Sequence, residues 1–144
     1  MSKKIAVLAG QWHEKVVDSA VQSFISEMGA GYEIDVIKVP GALEVPLAGK
    51  VAFERGYDAA VGIALVVDGG IYRHEFVAHT ALQSMLDVSM AAGKPFLSVV
   101  ISPQKFREGN AEDEAWFAGH FVIKGQEAAN ACADMLDLLP KIGS

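Results

Sequence analysis

The sequence has little cysteine: Cys132 is its only one, so an intrachain disulfide is excluded. Cys132 lies among alanines in a stretch with helical periodicity, where a small apolar side chain is usually buried. No basic residue adjoins it in the sequence to activate the thiol. We therefore expect a structural cysteine rather than a catalytic one.

Basic residues are few and do not cluster. The chain has 12 Lys and Arg against 18 Asp and Glu, a net charge of -6. Without a run of Lys or Arg, a nucleic-acid-binding surface is not favoured, although a small anion would need only a few local donors. Because 51% of residues are hydrophobic and 21% are charged, disorder is not expected either.

Long apolar runs are absent from the N terminus. The apolar stretch after Lys4 has about six residues, too few for a signal peptide or a membrane span. We expect no membrane association and a cytoplasmic location. The length of 144 residues fits a single domain, residues 1–144, with a sizeable core.

Short apolar segments alternate along the chain with segments of helical periodicity. Strands are predicted over residues 5–9, 32–39, 59–67 and 96–101. Helices are predicted over residues 13–28, 43–55, 72–92, about 112–118 and 125–139. This alternation predicts an α/β three-layer sandwich around a four-stranded parallel sheet.

Such sheets bind ligands beyond the carboxyl ends of their strands, where the strand order reverses. The segments that follow predicted strands there are 10–13, 40–44, 67–74 and 102–106. Trp12 could stack on a flat heterocycle or cover the edge of the sheet. His13 either joins the site or begins the helix. Glu44 either suits the positive end of a helix dipole, the more ordinary role, or accepts hydrogen bonds from sugar hydroxyls.

The glycine pair Gly69-Gly70 ends a strand and opens a helix, a geometry typical of an anion-binding turn. Arg73 and His74 follow with a permanent cation and a titratable base. The alternative is a plain glycine turn with a solvated, charged helix start. Because no G-x-G-x-x-G fingerprint or Walker lysine is present, a dinucleotide or nucleoside triphosphate is not favoured.

The other histidines do not form a metal-binding pattern such as H-E-x-x-H, so no metal is expected. His79 lies in a mostly apolar helix and is predicted to be structural. The helix over 72–92 is apolar almost all round, which predicts a second buried face. A homo-oligomer interface is the simplest source of that face, and deep burial within a monomer is the alternative.

Over nearly its whole length the chain resembles the lumazine synthases. The resemblance rests on Trp12, on Pro-Gly-Ala-Leu-Glu-Val-Pro at 40–46, on the glycine turn at 69–77, and on Lys-Gly-Gln-Glu-Ala-Ala at 124–129. The P-G-A-x-E-x-P run is the most specific of these motifs. The run 67–74, together with Trp12-His13, is similar to the second, divergent type of the family, as found in some α-proteobacteria.

The resemblance implies a flavodoxin-like fold and a transferase of riboflavin biosynthesis. Such enzymes condense 5-amino-6-(D-ribitylamino)uracil with 3,4-dihydroxy-2-butanone 4-phosphate to 6,7-dimethyl-8-ribityllumazine, releasing phosphate and water without a metal or redox cofactor. It also implies a homo-oligomer built of pentamers, with the pocket between adjacent subunits. The divergent type is associated with a decamer of two stacked pentamers.

The resemblance also assigns roles by position. Trp12 would stack on the pyrimidine ring, and Val66 and Val67 would line its edge. Ala42 and Glu44 would hold the ribityl chain. Gly70 and Ile71 would offer backbone amides to the phosphate, and Ser98 and Lys124 would come from a neighbouring subunit. The remaining substrate-binding positions would be His13, Leu43 and His120.

Two positions depart from the family pattern. The usual catalytic histidine position falls on Arg73, with His74 next to it, and adjacent helical residues point roughly 100° apart. The usual phosphate-binding arginine before the last helix is missing from residues 116–120. Arg73 would then bind the anion, assisted by His120, and we expect weak but real synthase activity, with Arg73 and His74 as the catalytic candidates.

Two other functions remain open on the sequence. A lumazine- or flavin-binding oligomer would keep the pocket with little or no synthase activity, and Trp12 and Glu44 would serve it equally well. A phosphosugar enzyme of unrelated specificity on the same fold would have no affinity for ribityl-uracil compounds.

Overall fold

The computed structural model describes residues 2–67 and 73–143 of the chain. Within these residues, strands and α-helices alternate as the sequence predicts. Their bounds are β1 Lys3–Gly10, α1 Glu14–Met28, β2 Tyr32–Val39, α2 Val45–Glu54, β3 Ala59–Leu65, α3 His74–Ala92, β4 Phe96–Ile101 and α4 Ala111–Leu138. Short 3₁₀ turns, Ala42–Glu44 and Leu139–Lys141, precede α2 and follow α4.

The strands form one parallel sheet in the order β2-β1-β3-β4, which confirms the predicted three-layer fold. One apolar cluster joins one face of the sheet to α1 and α4, and another joins the opposite face to α2 and α3. Every residue of β3 is buried, as a strand covered on both faces requires. The chain steps to one side of β1 to make β2 and to the other side to make β3. The strand order therefore reverses between β1 and β3.

The end of the chain differs from the prediction of two helices over about 112–118 and 125–139. Residues Ala111–Leu138 form one continuous helix, α4. Gly125 does not begin a helix but lies within α4 and allows it to approach α1: a Cβ atom there would lie 2.5 Å from the Ala20 carbonyl oxygen. Sequence alone does not distinguish a glycine at a helix boundary from one that permits close packing.

Cys132 is fully buried in the cluster between α1 and α4, as expected of a structural cysteine. Burial raises the pKa of its thiol to about 12. The thiolate that a nucleophile would need is therefore disfavoured at neutral pH.

The helix α3 is not buried on all sides. Its Ala78, Ala81 and Met85 face the core, whereas an outer set of large apolar side chains is exposed. We call this set the α3 patch; it consists of Phe76, Leu82, Leu86 and Met90. Such a patch on one helix is typical of a surface that contacts another protein. In the described part of the chain, no helix combines the length and apolar character needed to cross a membrane.

Candidate active site

A cleft of about 430 Å³ opens beyond the carboxyl ends of β1, β2 and β3, where the strand order reverses. This is the place at which a parallel sheet of this topology binds ligands. The described residues that line it are Trp12, His13, Gly41, Ala42, Leu43, Glu44, Leu65, Val66, Val67, Val77 and Glu108. Seven of these are among the positions to which the sequence analysis gave a substrate-binding role: Trp12, His13, Ala42, Leu43, Glu44, Val66 and Val67.

Trp12 projects at the mouth of the cleft, with 72% of its surface exposed. It lies beside Gly41, where an added Cβ would be 3.7 Å from the indole Cδ1 and 3.2 Å from Glu44 Oε1. The absence of a side chain at Gly41 thus lets the indole and the Glu44 carboxylate come close to the same point. An exposed indole beside a carboxylate can stack on a heterocycle while the carboxylate accepts hydrogen bonds from its substituents.

Glu44 ends the 3₁₀ turn that leads from β2 into α2, and Pro46 occupies the first turn of that helix. The turn is closed by the Glu44 amide donating to the Gly41 carbonyl, with an N–O distance of 3.2 Å. Among the described residues, the Glu44 carboxylate has no ion-pair partner. Glu44 can fill both roles predicted from the sequence. It lies at a helix start, where its charge suits the helix dipole, and it also lines the cleft, where it can accept hydrogen bonds from sugar hydroxyls.

The inner wall of the cleft is apolar. Leu65 ends β3, Val66 and Val67 continue from it, and Val77 lines the cleft from α3. Behind them Val66 packs with Ala42, Ala64, Ala78 and Ala81 in a small buried cluster. A flat ring resting on this wall would exchange water contact for apolar contact.

His13 is held in an unusual conformation at the end of β1. It caps α1 with φ of 55°, a left-handed backbone conformation that is uncommon outside glycine. Its ring packs edge-on against Phe106 at 5.2 Å, and Nε2 lies 3.5 Å from Glu108 Oε1. Strained backbone of this kind persists where surrounding contacts hold it, which often happens in binding sites.

The loop that carries Glu108 is fixed on both sides. Phe106 contacts Phe117 at 5.5 Å between ring centroids. Arg107 binds Asp113 through two side-chain hydrogen bonds, Nε to Oδ2 at 2.9 Å and Nη2 to Oδ1 at 3.0 Å. These bonds lower the pKa of Asp113 to about 2. Asn110 then caps α4 by accepting from the Asp113 amide at 3.0 Å.

Arg73 and His74 lie at the start of α3, the helix that contributes Val77 to the cleft. The Arg73 side chain is 72% exposed and pairs with Glu75. The His74 side chain is only 13% exposed; its Nδ1 shares a hydrogen bond with the Ser102 hydroxyl, and its Nε2 lies 3.3 Å from Glu75 Oε2. Ser102 directly follows β4 and Glu75 lies in the first turn of α3, so one strand end and one helix start fix the imidazole.

Three other predicted site residues, Ser98, His120 and Lys124, do not line this cleft within the chain. Ser98 is exposed on the edge strand β4. His120 stacks on Trp116 with ring centroids 5.1 Å apart, and Lys124 pairs with Glu127 at 3.0 Å. Gly70 and Ile71 lie outside the described residues.

Four further residues line the cleft without a predicted role in it: Gly41, Leu65, Val77 and Glu108. Gly41 lies in the candidate segment 40–44. Leu65 and Val77 adjoin predicted segments and could have been found by extending them. Glu108 comes shortly after the candidate segment 102–106, but a single carboxylate in a polar loop gives no sequence signal of its own.

A sequence model of the family described as 6,7-dimethyl-8-ribityllumazine synthase matches residues 2–140 of this chain. A relative named 6,7-dimethyl-8-ribityllumazine synthase 2, from Pseudomonas syringae pv. tomato, is 42% identical over 94% of this chain and 82% of its own length. A protein of the same name from Bradyrhizobium diazoefficiens is 42% identical over 93% of this chain and 82% of its own. One from Rhodococcus erythropolis, named 6,7-dimethyl-8-ribityllumazine synthase, is 42% identical over 90% of this chain and 86% of its own.

Proposed function

Because the chain belongs to the 6,7-dimethyl-8-ribityllumazine synthase family, we propose that it condenses 5-amino-6-(D-ribitylamino)uracil with 3,4-dihydroxy-2-butanone 4-phosphate in riboflavin biosynthesis. The observation that supports this most is the cleft at the reversal of strand order. It combines an exposed indole, a carboxylate without an ion-pair partner among the described residues, and an apolar wall. Those three features suit a flat heterocycle that carries a polyol.

The heterocycle belongs between Trp12 and the apolar wall. We assign stacking on the pyrimidine ring to Trp12, and contact with the edge of the ring to Val66 and Val67. Aromatic stacking contributes about 0.5–1.5 kcal/mol beyond the burial of the rings.

The ribityl chain belongs beside the turn after β2. Glu44 would accept hydrogen bonds from its hydroxyls, while Ala42 and Leu43 would supply close backbone approach. His13 faces the same space from the end of β1. Each hydrogen bond to a charged group is worth about 1.5–3 kcal/mol, enough to select a polyol over an unsubstituted ring.

The phosphate of the second substrate needs cationic groups and backbone donors. We assign it to Arg73 and to the backbone amides of Gly70 and Ile71, with His120 assisting; the two amides follow from the family resemblance alone. Arg73 fits this role because its guanidinium is exposed and permanently charged.

Proton transfer fits His74 better than Arg73. The reaction requires imine formation, elimination of phosphate and ring closure, and each step moves protons that a guanidinium cannot exchange. The imidazole of His74 is held by Ser102 and Glu75 at the start of α3. A positioned general acid–base contributes about 10²–10⁴-fold to rate.

Family membership supports small-molecule substrates and a homo-oligomer in general. We extend this to a decamer of two stacked pentamers, in which the α3 patch is covered. Ser98 and Lys124, which do not line the cleft of their own chain, would then contact the substrates bound to a neighbouring subunit. The proposed location is the cytoplasm.

The test is a turnover assay on the purified full-length protein with both substrates at saturating concentration. The proposal predicts 6,7-dimethyl-8-ribityllumazine, identified by mass, forming faster than in the uncatalysed mixture. A Trp12→Ala variant should bind ribitylaminouracil about tenfold more weakly, since it loses both stacking and burial, and Trp12→Phe should recover part of this loss. Binding without any turnover would instead indicate a lumazine- or flavin-binding oligomer.

A further inference from the structure

We propose that Glu108 is a specificity-determining residue for the ribityl substrate: its carboxylate binds the uncharged polyol, holds His13 in the cleft, and disfavours a polyol that carries phosphate. The inference rests on the proposed function. It adds Glu108 to the residues that bind the ribityl substrate and adds a preference for the unphosphorylated compound.

Glu108 lies in a loop whose neighbouring residues are fixed. Its neighbours in the chain are anchored, Phe106 on Phe117 and Arg107 on Asp113. Gly109 adopts φ of 76°, a turn conformation that suits glycine and directs the chain back into α4. Glu108 itself is 68% exposed along its side chain yet lines the cleft. A carboxylate presented from a fixed loop loses little freedom when a ligand binds.

Glu108 also contacts His13. Glu108 Oε1 lies 3.5 Å from His13 Nε2, while Phe106, two residues earlier, packs against the same ring at 5.2 Å. The imidazole is thus held between a ring and a carboxylate, although its backbone is in a left-handed conformation. This arrangement joins the loop after β1 to the loop after β4 across one side of the cleft.

The charge of the cleft also favours an uncharged polyol. Two carboxylates, Glu44 and Glu108, line the cleft, and no Lys or Arg is among the described residues that line it. Hydroxyl and N–H groups can donate to these oxygens, but a phosphate monoester brought between them would meet like charge. The same ligand with and without a terminal phosphate should therefore bind very differently.

The experiment compares Glu108→Gln with Glu27→Gln in the full-length protein. Both changes remove one negative charge, and Glu27 is exposed on α1, away from the cleft. Calorimetric titrations use 5-amino-6-(D-ribitylamino)uracil alone, and separately the same compound phosphorylated at the end of its ribityl chain. Glu108→Gln should weaken binding of the unphosphorylated compound about tenfold, and should reduce the preference over the phosphorylated compound by a similar factor. Glu27→Gln should leave both affinities unchanged.

A double-mutant cycle tests the role of His13. Glu108→Gln should have a smaller effect in a His13→Asn background than in the wild type, because part of its action passes through the imidazole. Asparagine is chosen because it tolerates left-handed backbone better than most residues. In steady state, the KM for the ribityl substrate should rise while the KM for the phosphosugar stays the same.

Unchanged affinity for both compounds in Glu108→Gln would overturn the inference and leave the proposed function standing. An equal loss for both would overturn the preference that we assign to the carboxylate charge. If Glu108→Gln does not fold, Glu108→Asp replaces it. Because Glu108→Asp keeps the negative charge, it should still bind the unphosphorylated compound more tightly than the phosphorylated one. Loss of that preference in Glu108→Asp would contradict the proposal. A wild-type protein that bound neither compound and formed no product would instead contradict the proposed function itself.

Discussion

Arg73 and His74 are adjacent in the chain, but their side chains lie in different surroundings. The guanidinium is mostly exposed, whereas the imidazole is nearly enclosed and contacts Ser102 and Glu75. A side chain fixed in this way is suited to proton transfer, because its ring nitrogens keep one orientation. An exposed guanidinium is suited to an anion that arrives from solvent.

This difference predicts distinct kinetic effects for the two residues. His74→Gln should lower kcat by about 10²-fold or more with a small change in either KM, because the proton-transfer group is lost. Arg73→Gln should mainly raise the KM for 3,4-dihydroxy-2-butanone 4-phosphate. Steady-state kinetics with each substrate varied in turn would measure both effects.

His79→Gln is the matched control, because His79 is exposed one turn further along α3. It should leave kcat and both KM values unchanged. A large loss of kcat in Arg73→Gln but not in His74→Gln would reverse the assignment.

At the scale of elements, the packing of α4 on α1 depends on a glycine in mid-helix. A Cβ at Gly125 would meet the Ala20 carbonyl oxygen at 2.5 Å, a backbone atom that cannot move without shifting α1. Gly119 lies on the same helix and has no atom within 4 Å of an added Cβ. The two glycines therefore form a matched pair.

Gly125→Ala should reduce the free energy of unfolding by about 1–3 kcal/mol, because the methyl group overpacks the contact between the helices. Gly119→Ala should raise it by about 0.4–1 kcal/mol, since alanine loses less backbone entropy on folding than glycine does. Chemical denaturation of both variants beside the wild type would measure these changes. Equal effects in the two variants would contradict the packing role of Gly125.

The bounds of several strands and helices could be predicted from the sequence alone, and others could not. Its patterns predicted β2 and β4 with the bounds that the structure has, because runs of β-branched and apolar residues bounded by turn residues are strong local signals. They predicted β3 to residue 67, whereas it ends at Leu65 and the apolar run continues as cleft wall. They divided α4 into two helices, because helix–helix packing around Gly125 is a long-range property.

The position of the cleft could be predicted from the sequence, because the order of the strands in the sheet determines where it lies. Trp12 and Glu44 were singled out because strand ends gather at one edge of a parallel sheet, and the structure brings both to the same cleft. Glu108 could not be found in this way, because its position depends on side-chain contacts that Phe106 and Arg107 make with α4, the helix that follows. Such contacts leave no periodic pattern in the sequence.

At the scale of the whole molecule, the main feature is the exposed α3 patch. Large apolar side chains at Phe76, Leu82, Leu86 and Met90 face outward from one helix. A protein surface of this kind is stabilised when a second chain covers it. The proposed oligomer would provide that cover and would bring Ser98 and Lys124 to a neighbour's substrates.

Leu86→Lys should reduce the mass of the assembly, because a charge would have to be buried at the interface. Multi-angle light scattering after size exclusion would measure the mass, with a decamer expected for the wild type. Ser26→Lys adds the same charge at an exposed position on α1, on the opposite face of the sheet, and should leave the mass unchanged. An unaltered assembly in Leu86→Lys would contradict the interface role of the α3 patch.

The most direct test of the whole account is a crystal structure of the protein with 5-amino-6-(D-ribitylamino)uracil bound in the absence of the phosphosugar. The pyrimidine ring should stack on Trp12 and lie against Val66. The ribityl hydroxyls should lie within hydrogen-bonding distance of Glu44, with Glu108 beside them. A ligand bound elsewhere, or one whose ribityl chain points away from both carboxylates, would contradict it.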